Sequence, residues 1–434
     1  MGQPLFILPE PGYFDFRICF LRFCMITNDA VVLGILLVIL AFVFQTSDSP
    51  RPFWQRFYAY VPATLLCYFL PSLLNTTGLV DGTNANLYPV VSKFLLPASL
   101  VLFTLSVDFS AFRRLGRASV QLFAASALSV MLGGPLTVWV LAQLAPDLVG
   151  GTGPEAVWRG MATMAGTWIG GGANQTALKE VFLPSDRLFS AFVTVDIFVA
   201  NIWLALLLYG ASRSAVLDRW LRADASAVED VKQRVIEQAE AGRRNPTVTD
   251  LITIVAVGFG ATAVAHAVAD WVAPYIDANY PALKQFSLNA PFFWIVGVAT
   301  ALGIGLSFTR ARSLEGAGAS KVATVFLYIM IATIGLKADV LAITEQPGLI
   351  LVGVIWMLFH ALIMVLVCRL LRAPYFFMAV GSMSCIGGPA TAPIVAAAFH
   401  PALAPVGVLM AIMGYAVGTY MGYICGVLMQ LASP

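Results

Sequence analysis

Charge is what this sequence has least of. Asp, Glu, Lys and Arg together make up 11% of its 434 residues, and apolar residues make up 59%. A soluble globular protein carries about 25% charged residues. This deficit excludes an ordinary soluble domain, because so many apolar side chains need lipid as well as a folded core to cover them. With a mean hydropathy of +0.84, the composition predicts a polytopic integral membrane protein.

The sequence also lacks the groupings of residues that nucleic-acid binding, metal binding or nucleotide hydrolysis would need. Its net charge is only +2, its three histidines lie far apart, and its six cysteines show no metal-ligand spacing. No phosphate-binding glycine-lysine loop occurs either. We therefore expect membrane lipid and a small-molecule substrate as partners, with no nucleic acid and no cofactor other than a bound Na⁺.

Ten apolar stretches are long enough to cross a bilayer, which takes about 17–25 residues of helix. These predicted spans are 30–46, 57–74, 91–107, 119–144, 188–210, 249–272, 291–308, 322–337, 348–370 and 403–430. Two further apolar stretches, 157–184 and 374–399, are interrupted by glycine and are treated separately below.

A polar stretch at 211–247 divides the chain, with charges of both signs among Ala, Val and Leu. We interpret it as a cytoplasmic linker between a first transmembrane repeat, 29–210, and a second, 248–434. Residues 1–28 fit neither repeat, because proline and arginine interrupt a Phe-rich sequence that is neither a signal peptide nor a span. Met25 is the natural start that we expect. The predicted location is the bacterial inner (plasma) membrane.

Two glycine-rich breaks interrupt apolar sequence at corresponding points of the two halves, half the chain length apart. The first spans 167–177 and reads Thr-Trp-Ile-Gly-Gly-Gly-Ala-Asn-Gln-Thr-Ala; the second spans 384–392 and reads Ser-Cys-Ile-Gly-Gly-Pro-Ala-Thr-Ala. Glycine and proline leave backbone groups unpaired, and hydrocarbon offers no water to satisfy them. A matched pair of such breaks is typical of a transporter's binding site. The alternative is that these small residues only permit close helix packing.

The predicted substrate-binding residues come from both breaks. A helix that begins inside the membrane presents free N–H groups to an anion, and Asn, Gln, Thr and Ser add further donors and acceptors. The predicted set is Thr167, Gly170, Gly171, Gly172, Asn174, Gln175, Thr176, Ser384, Gly387, Gly388, Pro389 and Thr391.

Asp196 is an acid in the middle of an apolar span, Phe192–Asn201. Because an ionised carboxylate in the bilayer costs several kcal/mol, such acids mark ion or proton pathways. We predict ion coupling through Asp196 together with Thr194, Asn201 and Asn174, with a Na⁺ site at Asn174 and Asp196 or a proton on Asp196. The alternative is a structural hydrogen bond from Asp196 to a neighbouring helix.

Charge distribution favours a particular topology. If both broken segments are re-entrant, most Lys and Arg fall on the side of the linker, as the positive-inside rule requires. Five crossings per half is an odd number, so the halves then have opposite orientations. The predicted fold is therefore an all-α polytopic membrane protein of two inverted-topology repeats, each with about five spanning helices and one glycine-broken segment. The alternative lets each broken segment cross as a discontinuous helix and drops another span, such as 291–308.

These residues resemble a known family, the YjcL-like uncharacterised membrane proteins (domain of unknown function 819). The matching motifs are Ile-Gly-Gly-x-x-Asn at 169–174, Ile-Gly-Gly-Pro-Ala-Thr-Ala at 386–392 and Gly-Tyr-x-x-Gly-Thr-Tyr at 414–420, and Asp196 falls where members carry an aspartate. More distantly, the layout is similar to sodium–glutamate, 2-hydroxycarboxylate and bile-acid symporters and to sodium–proton antiporters. The resemblance implies alternating access, elevator-type motion and a homodimer.

The function that we predict is secondary active transport of a small solute, an organic anion, coupled to Na⁺ or H⁺. A membrane-embedded enzyme such as an intramembrane hydrolase is the alternative from another class. It would need a nucleophile–base pair, paired aspartates or a metal cluster, and none has usable spacing in the sequence. We therefore expect no enzymatic activity. A passive channel would not explain two matched breaks.

Overall fold

The computed structural model describes residues 26–61, 63–80, 87–223, 228–229, 231–232, 245–286, 288–337, 347–400 and 403–434. Within these ranges the chain is helical, with a single isolated bridge and no strand, so the prediction of an all-α membrane protein is confirmed. Residues 1–25 of the predicted amino-terminal extension, and residues 224–227, 230 and 233–244 of the predicted linker, lie outside the described residues.

Seventeen helices are defined here within the described ranges, and short 3₁₀ turns join some of them. Their bounds are α1 Asp29–Ser47, α2 Pro52–Tyr60, α3 Ala63–Thr76, α4 Leu87–Leu105, α5 Phe109–Arg114, α6 Arg117–Leu144, α7 Val157–Gly170, α8 Gly172–Phe182, α9 Asp186–Ser212, α10 Ser214–Leu221, α11 Val248–Asn279, α12 Pro291–Ser307, α13 Ala319–Lys337, α14 Gly348–Leu371, α15 Tyr375–Ile386, α16 Gly388–Phe399 and α17 Ala404–Ala432.

Eight of the described helices are long and apolar enough to cross a membrane, namely α1, α4, α6, α9, α11, α13, α14 and α17. Each coincides with a predicted span. The other two predicted spans form shorter helices, α3 with 14 residues and α12 with 17. The span predicted at 57–74 begins late because Val61, which precedes Pro62, is extended at φ −116° and ψ 102°. A residue before proline avoids the helical region, so α2 ends there and α3 starts anew.

The helices pack as two groups. The first, which we call the core bundle, consists of α6–α9 and α14–α17, whose buried apolar side chains form one continuous cluster. The second, which we call the frame, consists of α1, α3, α4, α11, α12 and α13, whose buried side chains fall into three further clusters. One of these clusters also includes residues of the core bundle, namely Ala173, Ala177, Phe189, Val193 and Tyr415, where the two groups meet. Within the frame α3 packs against α13 and α12 against α4, so helices from the two halves of the chain complete each other.

Each glycine-broken segment folds back on itself as a hairpin of two helices. At the base of the first hairpin, α7–α8, the Trp158 and Phe182 rings meet edge to face at 5.6 Å. The Arg159 side chain also donates to the Phe182 carbonyl. At the base of the second hairpin, α15–α16, Phe376 contacts Phe399 with ring centroids 5.2 Å apart. Both breaks therefore lie at hairpin tips.

Left-handed backbone at the tips explains why glycine is needed there. Gly171 has φ +85° and Gly388 has φ +60°. Side chains with a Cβ rarely adopt this region, whereas glycine enters it at little cost. In each hairpin the first arm ends and the second arm begins within a residue or two of that glycine.

The last helix, α17, packs against the first hairpin through glycine. A Cβ placed on Gly418 would lie 2.6 Å from the Gly170 Cα, and one on Gly422 would lie 3.3 Å from the Gly166 Cα. These separations leave no room for a side chain, so the two backbones pack in direct contact. The alternative interpretation of the breaks, that their small residues permit close helix packing, therefore applies to Gly170, which faces α17.

We predict that Gly418→Leu destabilises the solubilised protein, because the new side chain must separate α17 from α7. Overpacking of this kind costs about 1–3 kcal/mol or more. The measurement is the apparent Tm in detergent. Gly260→Leu is the matched control, since Gly260 is exposed in α11 with no atom within 4 Å of its added Cβ. Equal Tm values for the two variants would contradict the packing described here.

Candidate functional site

A cavity of about 430 Å³ lies where both hairpin tips meet the frame. Its core-bundle lining includes the two tips, part of α9 and one residue of α17; its frame lining comes from α1, α3, α4 and α13. The polar and tip residues among them are Thr167, Gly171, Gly172, Gln175, Thr176, Asp196, Asn201, Thr324, Gly387, Gly388, Pro389 and Thr391. The cavity thus draws on both halves of the chain and on both helix groups.

Most of the predicted substrate-binding residues line this cavity, but three do not. Gly170 packs against α17, and the hydroxyl of Ser384 donates to the Val380 carbonyl at 2.6 Å inside its own helix. Asn174 is fully buried, and its side chain is engaged within the protein. Its oxygen accepts from the Thr419 hydroxyl at 2.5 Å, and its nitrogen donates to the Gly170 carbonyl at 2.8 Å. Asn174 therefore ties the first tip to α17.

Asp196 lines the cavity from α9 and is only 7% exposed. Its Oδ1 accepts a hydrogen bond from the Trp168 Nε1 at 2.7 Å. Trp168 belongs to α7, two residues before the break. The Asp196 carboxylate therefore makes a structural hydrogen bond to a neighbouring helix, which was the alternative to ion coupling, and it also lines the cavity.

The other predicted ion-coupling residues are divided between the cavity and the helix interior. Asn201 lines the cavity, and its side-chain nitrogen donates to the Ile197 carbonyl at 2.7 Å. The hydroxyl of Thr194 donates to the Ser190 carbonyl at 3.0 Å, and Thr194 is not among the lining residues.

Oxygen atoms are the ligands that a hard cation such as Na⁺ prefers. The cavity supplies them from Asp196, Asn201 and the threonines that line it, which is compatible with a Na⁺ beside Asp196. Asn174 does not belong to this set, because its oxygen is occupied by Thr419 and the residue does not line the cavity. Within the described ranges no cluster of three His, Cys, Asp or Glu could hold another metal ion.

Three buried polar atoms of the cavity lining have no hydrogen-bond partner among the described residues. They are the hydroxyls of Thr167 and Thr391 and the side-chain nitrogen of Gln175. Buried polar groups in folded proteins are almost always paired, because an unpaired one costs about 1–3 kcal/mol. Three such atoms, contributed by both hairpins, mark positions beside the cavity where water or a bound molecule would have to complete the hydrogen bonds.

The electrostatics of the cavity are set by one acid and by main-chain dipoles. Asp196 is the only charged residue in the described part of the lining, with no Lys, Arg or His beside it there. Both second arms, α8 and α16, begin at the tips without a side-chain cap. An uncapped helix start carries roughly half a positive charge. The tips can therefore receive a negative group, while Asp196 requires a positive one.

Aromatic residues of the frame complete the cavity, and sequence reasoning missed them. Tyr68 of α3 donates its hydroxyl to Ser190 of α9 at 2.9 Å, and Phe103 of α4 stacks on Tyr415 of α17 at 4.1 Å. Both contacts join the frame to the core bundle. No sequence signal separates them from the many aromatic rings that simply face lipid in predicted spans.

His360 lies elsewhere, in a buried network of the core bundle. Its Nδ1 is 2.7 Å from the Ser129 hydroxyl and its Nε2 is 2.8 Å from the Ser382 hydroxyl, to which Trp203 also donates. All three polar residues of this Ser–His–Ser contact are fully buried, and none lines the cavity. We interpret the network as a structural link between helices.

The long apolar helices define an integral membrane protein. A family model described as "Protein of unknown function (DUF819)" matches residues 34–432, and the chain belongs to this family. The chain is also 23% identical, over 376 residues, to "Uncharacterized membrane protein YjcL" of Bacillus subtilis (strain 168). That match covers 82% of this chain and 88% of the relative. The resemblance predicted from the breaks is thus confirmed.

We predict that Thr419→Val weakens the joint between α17 and the first hairpin, because it leaves the oxygen of Asn174 without its donor. The expected cost is about 1–3 kcal/mol, seen as a lower apparent Tm in detergent. Thr262→Val is the matched control, since Thr262 is equally buried and its hydroxyl bonds only within α11. A Tm loss no larger than that of the control would show that the hydrogen bond contributes nothing.

Proposed function

We propose that this protein is a secondary active transporter that moves a small organic anion together with Na⁺ or H⁺ by alternating access. The observation that supports this most is a single cavity that combines two uncapped hairpin tips with a buried carboxylate. Half-helix starts aimed at a substrate, and oxygen ligands for a coupling ion nearby, are the arrangement found at the centre of ion-coupled transporters.

Charge balance supports the coupling. The two helix starts contribute roughly one positive charge together, and ionised Asp196 contributes one negative charge. An anionic solute would leave the buried site with a net negative charge, which is costly in a medium of low dielectric constant. One Na⁺ or one proton at Asp196 removes that excess. The anion and the cation therefore bind best together, and this is the physical basis for symport.

Alternating access fits the division into two helix groups. The cavity lies at the seam between the core bundle and the frame, so displacement of one group against the other would expose it to opposite sides in turn. We propose that the hairpins are re-entrant in a pair of inverted repeats, with the linker in the cytoplasm of a bacterial inner membrane. An elevator motion of the core bundle in a homodimer is part of the same proposal.

The alternative functions receive less support. An intramembrane hydrolase would need its nucleophile and base at a cavity that a substrate can enter, but the Ser–His–Ser contact of His360 is enclosed in the core bundle. Asp196 is the only titratable acid or base among the described lining residues other than tyrosine. A passive channel has no need of an acid held against Trp168 at the wall of the cavity.

Counterflow in proteoliposomes tests the proposal, with Asp196→Asn as the decisive variant. We expect the wild-type protein to exchange labelled solute and to drive net uptake only with a Na⁺ or H⁺ gradient. Asp196→Asn keeps the hydrogen bond from Trp168, so it should fold and still exchange solute, while uptake loses its dependence on the gradient.

Asp270→Asn, at an exposed acid of α11, is the control and should behave as the wild type. Full ion dependence in Asp196→Asn would show that the acid is structural. Absence of exchange by the wild-type protein with every labelled organic anion tested, monocarboxylates and dicarboxylates included, would refute the transporter proposal itself.

A further inference from the structure

We infer that the solute is a monocarboxylate with an apolar body about the size of an aromatic ring. This inference deepens the proposed function and rests on it for the act of transport, but it concerns binding and can be tested without transport. Three features of the cavity lead to it: where hydrogen-bond donors lie, how few charges are present, and what covers the remaining wall.

The donors lie at the first hairpin tip. Gln175 is 8% exposed, lines the cavity, and has a side-chain nitrogen with no partner among the described residues. It follows Gly172, the first residue of α8, by less than one helical turn, and no side chain caps that helix start. A side-chain N–H₂ group and backbone N–H groups together form a donor set for a carboxylate. The unpartnered hydroxyl of Thr391 adds a donor from the second hairpin.

The scarcity of charge limits the solute to one carboxylate. A second carboxylate would need a cationic side chain, and the described lining contains none. It would instead share a buried cavity with Asp196, and burying an unpaired charge costs several kcal/mol. Dicarboxylates and tricarboxylates are therefore poor matches for this site.

Apolar and aromatic side chains cover the rest of the wall. Six aromatic rings line it, among them Tyr68, Phe103 and Tyr415, together with aliphatic side chains such as Val193, Ile197 and Ile331. A polar solute would leave this surface without partners, whereas a ring or a branched alkyl group would bury against it. A cavity of about 430 Å³ is large enough for a ring-bearing acid.

The experiment measures binding to the full-length solubilised protein by calorimetry, in sodium chloride at pH 6, so that both candidate coupling cations are present. Four probes built on the same two-carbon spacer separate the possibilities: 3-phenylpropanoate, its uncharged amide, phenylalanine and succinate. We expect 3-phenylpropanoate to bind, and each of the others to bind at least tenfold more weakly. The amide lacks the charge, phenylalanine adds an ammonium group, and succinate replaces the ring by a second carboxylate.

Variants locate the carboxylate. Gln175→Leu should weaken binding of 3-phenylpropanoate by about tenfold or more, the usual loss when a hydrogen bond to a charged group is removed. Gln55→Leu, at an exposed glutamine of α2, is the matched control and should leave affinity unchanged. An unchanged affinity in Gln175→Leu would overturn the assignment of the carboxylate to the first tip.

If phenylalanine bound more tightly than 3-phenylpropanoate, the ammonium group would be assigned to Asp196 and the inference would be overturned. Tighter binding of succinate than of 3-phenylpropanoate would also overturn it. Failure of 3-phenylpropanoate and of cyclohexyl and branched-alkyl analogues to bind would overturn it as well. Binding of the predicted class without counterflow would leave this inference standing and refute the transporter proposal, so the two failures are distinguishable.

Discussion

Everything in this molecule depends on how main chain that leaves the helix inside an apolar bundle finds partners for its polar groups. Hydrocarbon provides none, so the two breaks must be enclosed by protein or must line a polar space. The structure uses both solutions. One side of the first tip packs glycine against glycine on α17, with Asn174 bonded to Thr419 and to the Gly170 carbonyl. The other side faces the cavity with Gly171, Gly172 and Gln175.

That division assigns different roles to adjacent residues. Gly170 and Asn174 hold the tip against the last helix, while their neighbours Gly171, Gly172 and Gln175 line the cavity. A rigidly held tip is needed because hydrogen-bond donors favour a charged group only when they are fixed in place beforehand. The seam between core bundle and frame then supplies the remaining wall, through contacts such as Phe103 on Tyr415. Binding and movement would thus involve the same surface.

The sequence was sufficient to locate the breaks and most of the long helices, since paired glycines with a proline or an amide rarely interrupt an apolar run unless the main chain leaves the helix there. It could not tell Gln175 from Asn174, because both are amides near a helix start and only the position of α17 decides which one faces the cavity. Tyr68 and Phe103 were missed for a different reason: an aromatic ring in a span has the same appearance whether it faces lipid or a ligand. The late start of α3 follows from Pro62, and the sequence pattern did contain that signal.

The central claim is that the two hairpin tips, which belong to different halves of the chain, meet at one cavity. The most direct test is cross-linking in a cysteine-free background that carries Thr176→Cys and Thr391→Cys, with a protease site inserted between the halves. A short bifunctional thiol reagent should keep the two halves joined after proteolysis. The control pair, Thr176→Cys with Thr253→Cys, places the second thiol on an exposed position of α11 and should not cross-link. Equal yields for the two pairs, or none for the first, would contradict the account.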